Sequence, residues 1–194
     1  MSPRPRLTSD AAILAATARV IARRGPSRFT LADVGREAGV APATLVQRFG
    51  SKRQLLLAMV AGADESVTAC FAEARRNTSS PLDALLRAME ASAQMAPTPE
   101  ELSNHLAFLQ MDLSDPEFHQ HALVHGRANR NAIRTLLDEA VAVGELQRCD
   151  TAKLTRAVDA VVGGALIGWA IHRSHTAKAA IREALQTLLD PYRL

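Results

Sequence analysis

Residues Phe29 to Lys52 read FTLADVGREAGVAPATLVQRFGSK, and this stretch decides the fold. Thr30 precedes Leu31 and Asp33 follows three positions later, so a hydroxyl can cap a helix start while an acid lies near its positive end. Leu31, Val34 and Ala38 fall at i, i+3 and i+7 on one apolar stripe. Gly39, just beyond them, supplies the left-handed residue that ends a helix. The turn is Gly39, Val40, Ala41. Pro42 suits the first turn of a second helix, where its missing N–H costs nothing, and that helix runs through Thr44 and Leu45 to about Arg48. Gly35 and Ala38 are small enough for the two helices to approach closely, with Val40 and Leu45 between them.

A helix of about eight residues, a short turn containing Gly and a second short helix make the helix-turn-helix pattern, whose second helix enters the DNA major groove. An ordinary helical hairpin has the same outline, so the charge distribution matters. Up to Arg53 there are ten Lys and Arg against three Asp and Glu, whereas the remainder has thirteen against seventeen. A basic head on an acidic body suits nucleic-acid binding, because phosphate attraction supplies most of the sequence-independent affinity. In the second helix Leu45 is expected to face inward and Thr44, Gln47 and Arg48 outward, with Pro42 and Ala43 leading. Gln pairs with adenine and Arg with guanine through two hydrogen bonds, and small apolar groups meet a thymine methyl. Arg48 has phosphate as its other option. Arg28, Thr30, Ser51 and Lys52 stand at helix starts or edges, where backbone N–H groups and cations meet phosphate oxygens.

Residues from about Ile13 to Val60 resemble the N-terminal domain of the TetR (tetracycline repressor) family of bacterial transcriptional regulators. The resemblance rests on Arg24-Gly25, Phe29-Thr30-Leu31, Asp33-Val34, Ala38-Gly39-Val40, Thr44-Leu45, Phe49-Gly50-Ser51-Lys52 and Leu55-Leu56, in that order. Two positions depart from it. The family often has Tyr where Val46 stands, used against the DNA backbone, and Ser where Ala41 stands, used as a helix cap. The resemblance implies an all-α protein of two domains, residues 1–53 binding DNA behind a basic N-terminal arm and residues 54–194 binding ligand and dimerising. It further implies a ligand-responsive repressor, not an enzyme, that holds a palindromic double-stranded operator as a homodimer and needs no cofactor or metal. Within the second domain it makes Met89, His105, Phe108, Leu109, Met111 and Trp169 the candidate lining of a small-molecule pocket. The last two helices would form the dimer interface.

The rest of the chain supports a helical reading. Hydrophobic residues make up 47% and aromatic residues only 4% of 194 positions, with Ala and Leu dominant, which favours helix over sheet. Breaks at Gly25-Pro26, Asn77 to Pro81, Pro97-Thr98-Pro99, Asp115-Pro116, Gly144 and Ser174 divide the chain into about nine helices. The fourth, capped by Ser51, is expected to run unbroken to Arg76, roughly 38 Å. In the eighth, Gly163, Gly164 and Gly168 weaken the helix unless something compensates, and small residues four apart let two helices touch. Given the resemblance, Gly164 and Gly168 are assigned to the dimer interface.

No apolar run opens the chain, and Ala157 to Ile171 contains Asp159 and falls short of the roughly 20 residues that span a bilayer. A cytoplasmic protein with no membrane partner is therefore expected. Cys70 and Cys149 lack CxxC spacing and read as reduced, structural thiols. Arg4 and Arg6, among prolines in the arm from Met1 to Ser9, can enter a minor groove or merely solubilise. His119, His121 and His125 gather near Asp115 and Glu117, which keeps an all-α metal-dependent enzyme as a rival; without HExxH or a Cys partner a solvated polar face reads better. A helical interaction protein is the third option.

Overall fold

Most helices of this chain start at a residue whose side chain satisfies a free N–H group, and those caps set the element boundaries. The computed structural model describes residues 8–194, so Arg4 and Arg6 of the arm lie outside the described residues. The helices are α1 (Asp10–Arg24), α2 (Leu31–Ala38), α3 (Pro42–Phe49), α4 (Lys52–Val60), α5 (Ala63–Arg76), α6 (Pro81–Ala91), α7 (Pro99–Ser114), α8 (Pro116–Ala142), α9 (Thr151–His172) and α10 (Ala177–Leu189). Ser9, Thr30, Ser51, Ser80, Asp150 and Thr176 cap α1, α2, α4, α6, α9 and α10. Among the described residues the only β-type pairing is an isolated bridge between Leu146 and Arg193. The fold is all-α.

The expected helices occur in the expected order, with one correction. The segment from Lys52 to Arg76 is two helices, because Ala61 and Gly62 form a turn between α4 and α5. Gly62 has the weakest helix propensity short of proline. The two sides of the break also bury their side chains in separate cores: Leu55, Leu56 and Leu57 in one, Val67, Phe71 and Ala74 in the other.

The chain divides into two compact units. The first comprises residues up to Gly62 together with Ser103–His121. Its core joins Ile13, Phe29, Val34, Leu45, Leu55 and Phe118, each at 1% exposure or less. Phe108 and Phe118 meet edge to face, with ring centroids 5.8 Å apart. The first unit thus extends past Arg53, where the sequence reading ended the first domain, because α4 and both phenylalanines share the core of α1 to α3. Asp112, Asp115 and Glu117 come with it, so its ten cationic residues are matched by six acids instead of three.

The second unit comprises Ala63–Leu102 and Ala122–Leu194. Leu85, Ile133, Leu137, Val158, Ile181 and Leu185 are fully buried in its core. Glu90, only 4% exposed, accepts hydrogen bonds on both carboxylate oxygens from Arg182 and pairs with Lys178 at 3.3 Å, which offsets the cost of burying its charge. Cys70 and Cys149 are free and half-buried, and burial raises both thiol pKa values, as suits unreactive thiols. By length and hydropathy Lys52–Arg76 and Thr151–His172 reach the span of a bilayer. The first is broken, and the second carries Asp159, which accepts hydrogen bonds from Asn129 at 3.0 Å and Arg130 at 2.8 Å.

Candidate nucleic-acid interface

Helix α2 is fixed at both ends. Thr30 Oγ1 accepts from the Asp33 N–H at 3.2 Å while an Asp33 carboxylate oxygen accepts from the Thr30 N–H at 2.9 Å, a complete capping box. Thr30 also donates its hydroxyl to Asp33, and that bond, aided by Arg24 and Arg36, holds the carboxyl pKa below its ordinary value. At the other end Gly39 has φ 71° and ψ 31°, the left-handed conformation. Gly35 allows the turn to close: a Cβ there would lie 2.7 Å from the Val40 carbonyl oxygen. Glu37 accepts from both Arg19 and Arg23 and ties α2 to α1; these bonds lower its pKa.

Helix α3 follows with Pro42 in its first turn and Ala41 at the cap position, where no side chain bonds the helix N–H groups. Leu45, 1% exposed, is its only buried residue. Pro42, Ala43, Val46, Gln47 and Arg48 are exposed and Thr44 is half-exposed, so the helix presents a continuous accessible face. Val46, the departure from Tyr, is 49% exposed on it. Arg48 is not idle: it pairs with the Asp10 carboxylate and donates to the Thr8 carbonyl, which ties the end of α3 to the start of α1.

Gly50, at φ 82°, turns the chain out of α3, and Ser51 Oγ accepts from the Gln54 N–H at 3.1 Å to open α4. Lys52 Nζ donates to the Phe29 carbonyl at 2.7 Å and the Ser27 carbonyl at 3.3 Å, and lies 4.2 Å from the centroid of the Phe29 ring. Burial lowers its pKa. Arg28 is exposed and its Nε donates to the Arg24 carbonyl at 3.0 Å. Arg28 and Lys52 are thus held by backbone oxygens, whereas Arg19, Arg23, Arg24, Arg36, Arg48 and Arg53 all have carboxylate partners. An eight-residue helix with one buried side chain and an accessible face, accompanied by the capped starts of α2 and α4, which Lys52 ties together, is a shape able to lie in a groove and grip phosphate beside it.

Residues 13–59 match the family model of the bacterial regulatory proteins, tetR family. These residues form a domain of the TetR family's N-terminal type. The chain is 31% identical over 125 residues to the HTH-type transcriptional regulator BetI of Rhizobium meliloti (strain 1021), a match covering 62% of this chain and 60% of that protein. Its fold is that of a TetR transcription regulator from Haloarcula marismortui, with TM-score 0.77, 18% identity and coverage of 95% of this chain and 98% of that one. The TetR family transcriptional regulator PfmR from Thermus thermophilus superposes with TM-score 0.66 at 23% identity, covering 92% of this chain and 97% of that one. Within the first unit, sequence reasoning missed Arg53 and Asn104. Asn104 donates to the Ala22 carbonyl at 2.7 Å, and Arg53 binds Asp115 and Glu117. Each contact joins residues more than sixty positions apart, with no local signal.

The residues read as a ligand pocket fall in different places. Phe108 is buried and Met111 half-buried at the first unit's core, Met89 and Trp169 are buried in the second unit's core, and His105 and Leu109 are exposed. The Trp169 indole N–H donates to the His175 carbonyl at 2.7 Å. A cleft of about 1210 Å³ in the second unit is lined by other residues, among them Leu86, Glu90, Lys178 and Arg182. Gly164 is exposed and Gly168 half-exposed on α9, and among the described residues a Cβ on either would meet nothing within 4 Å. Among the described residues no three His, Cys, Asp or Glu converge as metal ligands, and Asp115 and Glu117, read beside the histidines, hold Arg53 instead.

Proposed function

We propose that the protein is a ligand-responsive transcriptional repressor that binds a near-palindromic duplex as a homodimer. The observation that carries the DNA-binding part is the exposed face of α3 beside the capped starts of α2 and α4. Gln47 and Thr44 read base edges, Pro42, Ala43 and Val46 offer apolar contact to thymine methyls, and Arg28, Thr30, Ser51 and Lys52 position the backbone. Arg48 serves both α1 and the DNA, since its guanidinium keeps donors beyond those given to Asp10 and Thr8. Lys52→Ala removes a phosphate cation and also the strap across Ser27 and Phe29, so affinity should fall for all sequences alike and the salt slope should flatten.

Dimerisation is supported by α9. Gly164, Ile167, Gly168 and Ile171 follow one another at i, i+3, i+4 and i+7; Ile167 is 44% and Ile171 69% exposed, and among the described residues nothing would lie within 4 Å of a Cβ on either glycine. An apolar stripe with small residues at its centre suits a second helix at close range. A small-molecule effector is assigned to the second unit, whose open cleft supplies room. The effector must bind the DNA-competent and released states unequally to act at all.

Footprinting of the full chain on the DNA upstream of its own gene, at several salt concentrations, tests this reading. Protection of two half-sites about one helical turn apart, lost steeply as salt rises, is expected. A folded, dimeric protein that shows no salt-sensitive duplex binding would contradict it.

A further inference from the structure

Arg53, the second residue of α4, is gripped by the corner where α7 ends and α8 begins. Its Nη2 donates to both oxygens of Asp115 at 2.9 Å, its Nη1 donates to Glu117 at 2.7 Å, and its guanidinium carbon lies 5.6 Å from the centroid of the Phe118 ring. Phe118 beneath it is 1% exposed and packs edge to face on Phe108. Asp115 is itself fixed, because its Oδ1 accepts from the N–H groups of Glu117 at 3.0 Å and Phe118 at 3.4 Å. Isolated surface ion pairs contribute little, but a forked guanidinium shared by two carboxylates over a buried ring is the geometry in which such pairs count.

The grip lies next to the weakest element of the proposed interface. Helix α3 has one buried residue and no side-chain cap, and only Gly50 and Ser51 separate it from Lys52 and Arg53. What fixes the start of α4 therefore fixes the end of α3. We infer that Arg53 is a positioning residue for DNA binding: clamped by Asp115 and Glu117 on the α7–α8 corner, it sets the pose of α3 and of Ser51 and Lys52, and does not act as a phosphate contact itself.

This rests on the DNA-binding reading above, and the sign of one effect separates the two. Asp115→Asn with Glu117→Gln removes two negative charges from a unit that meets a polyanion, so electrostatics alone predicts tighter binding. Asn retains the ability to cap α8. Loss of the clamp predicts weaker binding. The probe is a duplex selected from a random pool by the wild-type full chain, with affinity measured across salt concentrations and folding followed by circular dichroism. The double variant and Arg53→Lys, which keeps the charge but loses the fork, should each bind roughly fivefold more weakly with the wild-type salt slope, and their combination should be no worse. If the double variant unfolds, Arg53→Lys carries the test alone. Tighter or unchanged binding by the double variant, or unchanged binding by Arg53→Lys, overturns the clamp while leaving DNA binding intact. A wild-type chain that selects no duplex overturns both.

Discussion

Helices α2 and α3 each hold eight residues, yet they are stabilised in opposite ways. Helix α2 has a complete capping box, a left-handed glycine at its end, three buried residues and Glu37 pinned between two arginines of α1. Helix α3 has an uncapped start and a single buried residue, and its remaining supports come from outside: Arg48 on Asp10, and the short turn into α4. A helix that must offer its side chains to a groove cannot also bury them. The lesson is that α2 carries the stability of the pair while α3 is kept in place by neighbours and leaves most of its side chains accessible.

The largest way to break this contrast is Leu45→Ala. It removes the one buried side chain of α3, with only the half-buried Phe49 left against the core, and a fully buried Leu costs about 2–5 kcal/mol when truncated; equilibrium unfolding in urea should show it, with DNA binding lost in parallel. Gly35→Ala comes next. Its Cβ would sit 2.7 Å from the Val40 carbonyl, so the turn between the helices must shift, at about 1–3 kcal/mol by the same measurement.

Thr30→Ala should cost about 1 kcal/mol by removing the cap of α2. It should also change the acid limit of stability. Because the Asp33 pKa is lowered in the folded protein, chiefly by the Thr30 hydroxyl, its contribution is present above the unfolded carboxylate value and is lost as pH falls through the folded one. Without the hydroxyl the folded value moves back up, so the acid unfolding midpoint of the variant should lie at higher pH than that of wild type. The smallest effect has the opposite sign: Ala41→Ser supplies the missing cap of α3 at an extended backbone position, with φ −67° and ψ 144°, and should stabilise by about 0.5–1 kcal/mol in thermal melts.

What was legible in the sequence follows from range. The capping box of Thr30 and Asp33, the Gly39 turn and Pro42 at the start of α3 all concern residues within about one helical turn and were readable from spacing, while the missing cap at Ala41 was noticed through the family resemblance. Contacts from Arg48 to Thr8, Arg53 to Asp115 and Asn104 to Ala22 span 40, 62 and 82 positions and leave no local trace. The break at Ala61–Gly62 was hidden because apolar residues continue at helical spacing on both sides, although they serve two cores. Phe108 and Trp169 look alike in a helical pattern, and only packing assigns one to each unit.

The most direct measurement replaces Thr44 and Gln47 together by Ala, then compares unfolding and DNA selection with wild type. Both side chains lie on the accessible face of α3, so the variant should unfold within about 0.5 kcal/mol of wild type per site, while the sequence it selects from a random pool loses its preference at the base pairs they read. An unchanged selected sequence, in a variant as stable as wild type, would contradict the assignment of α3 as the reading helix.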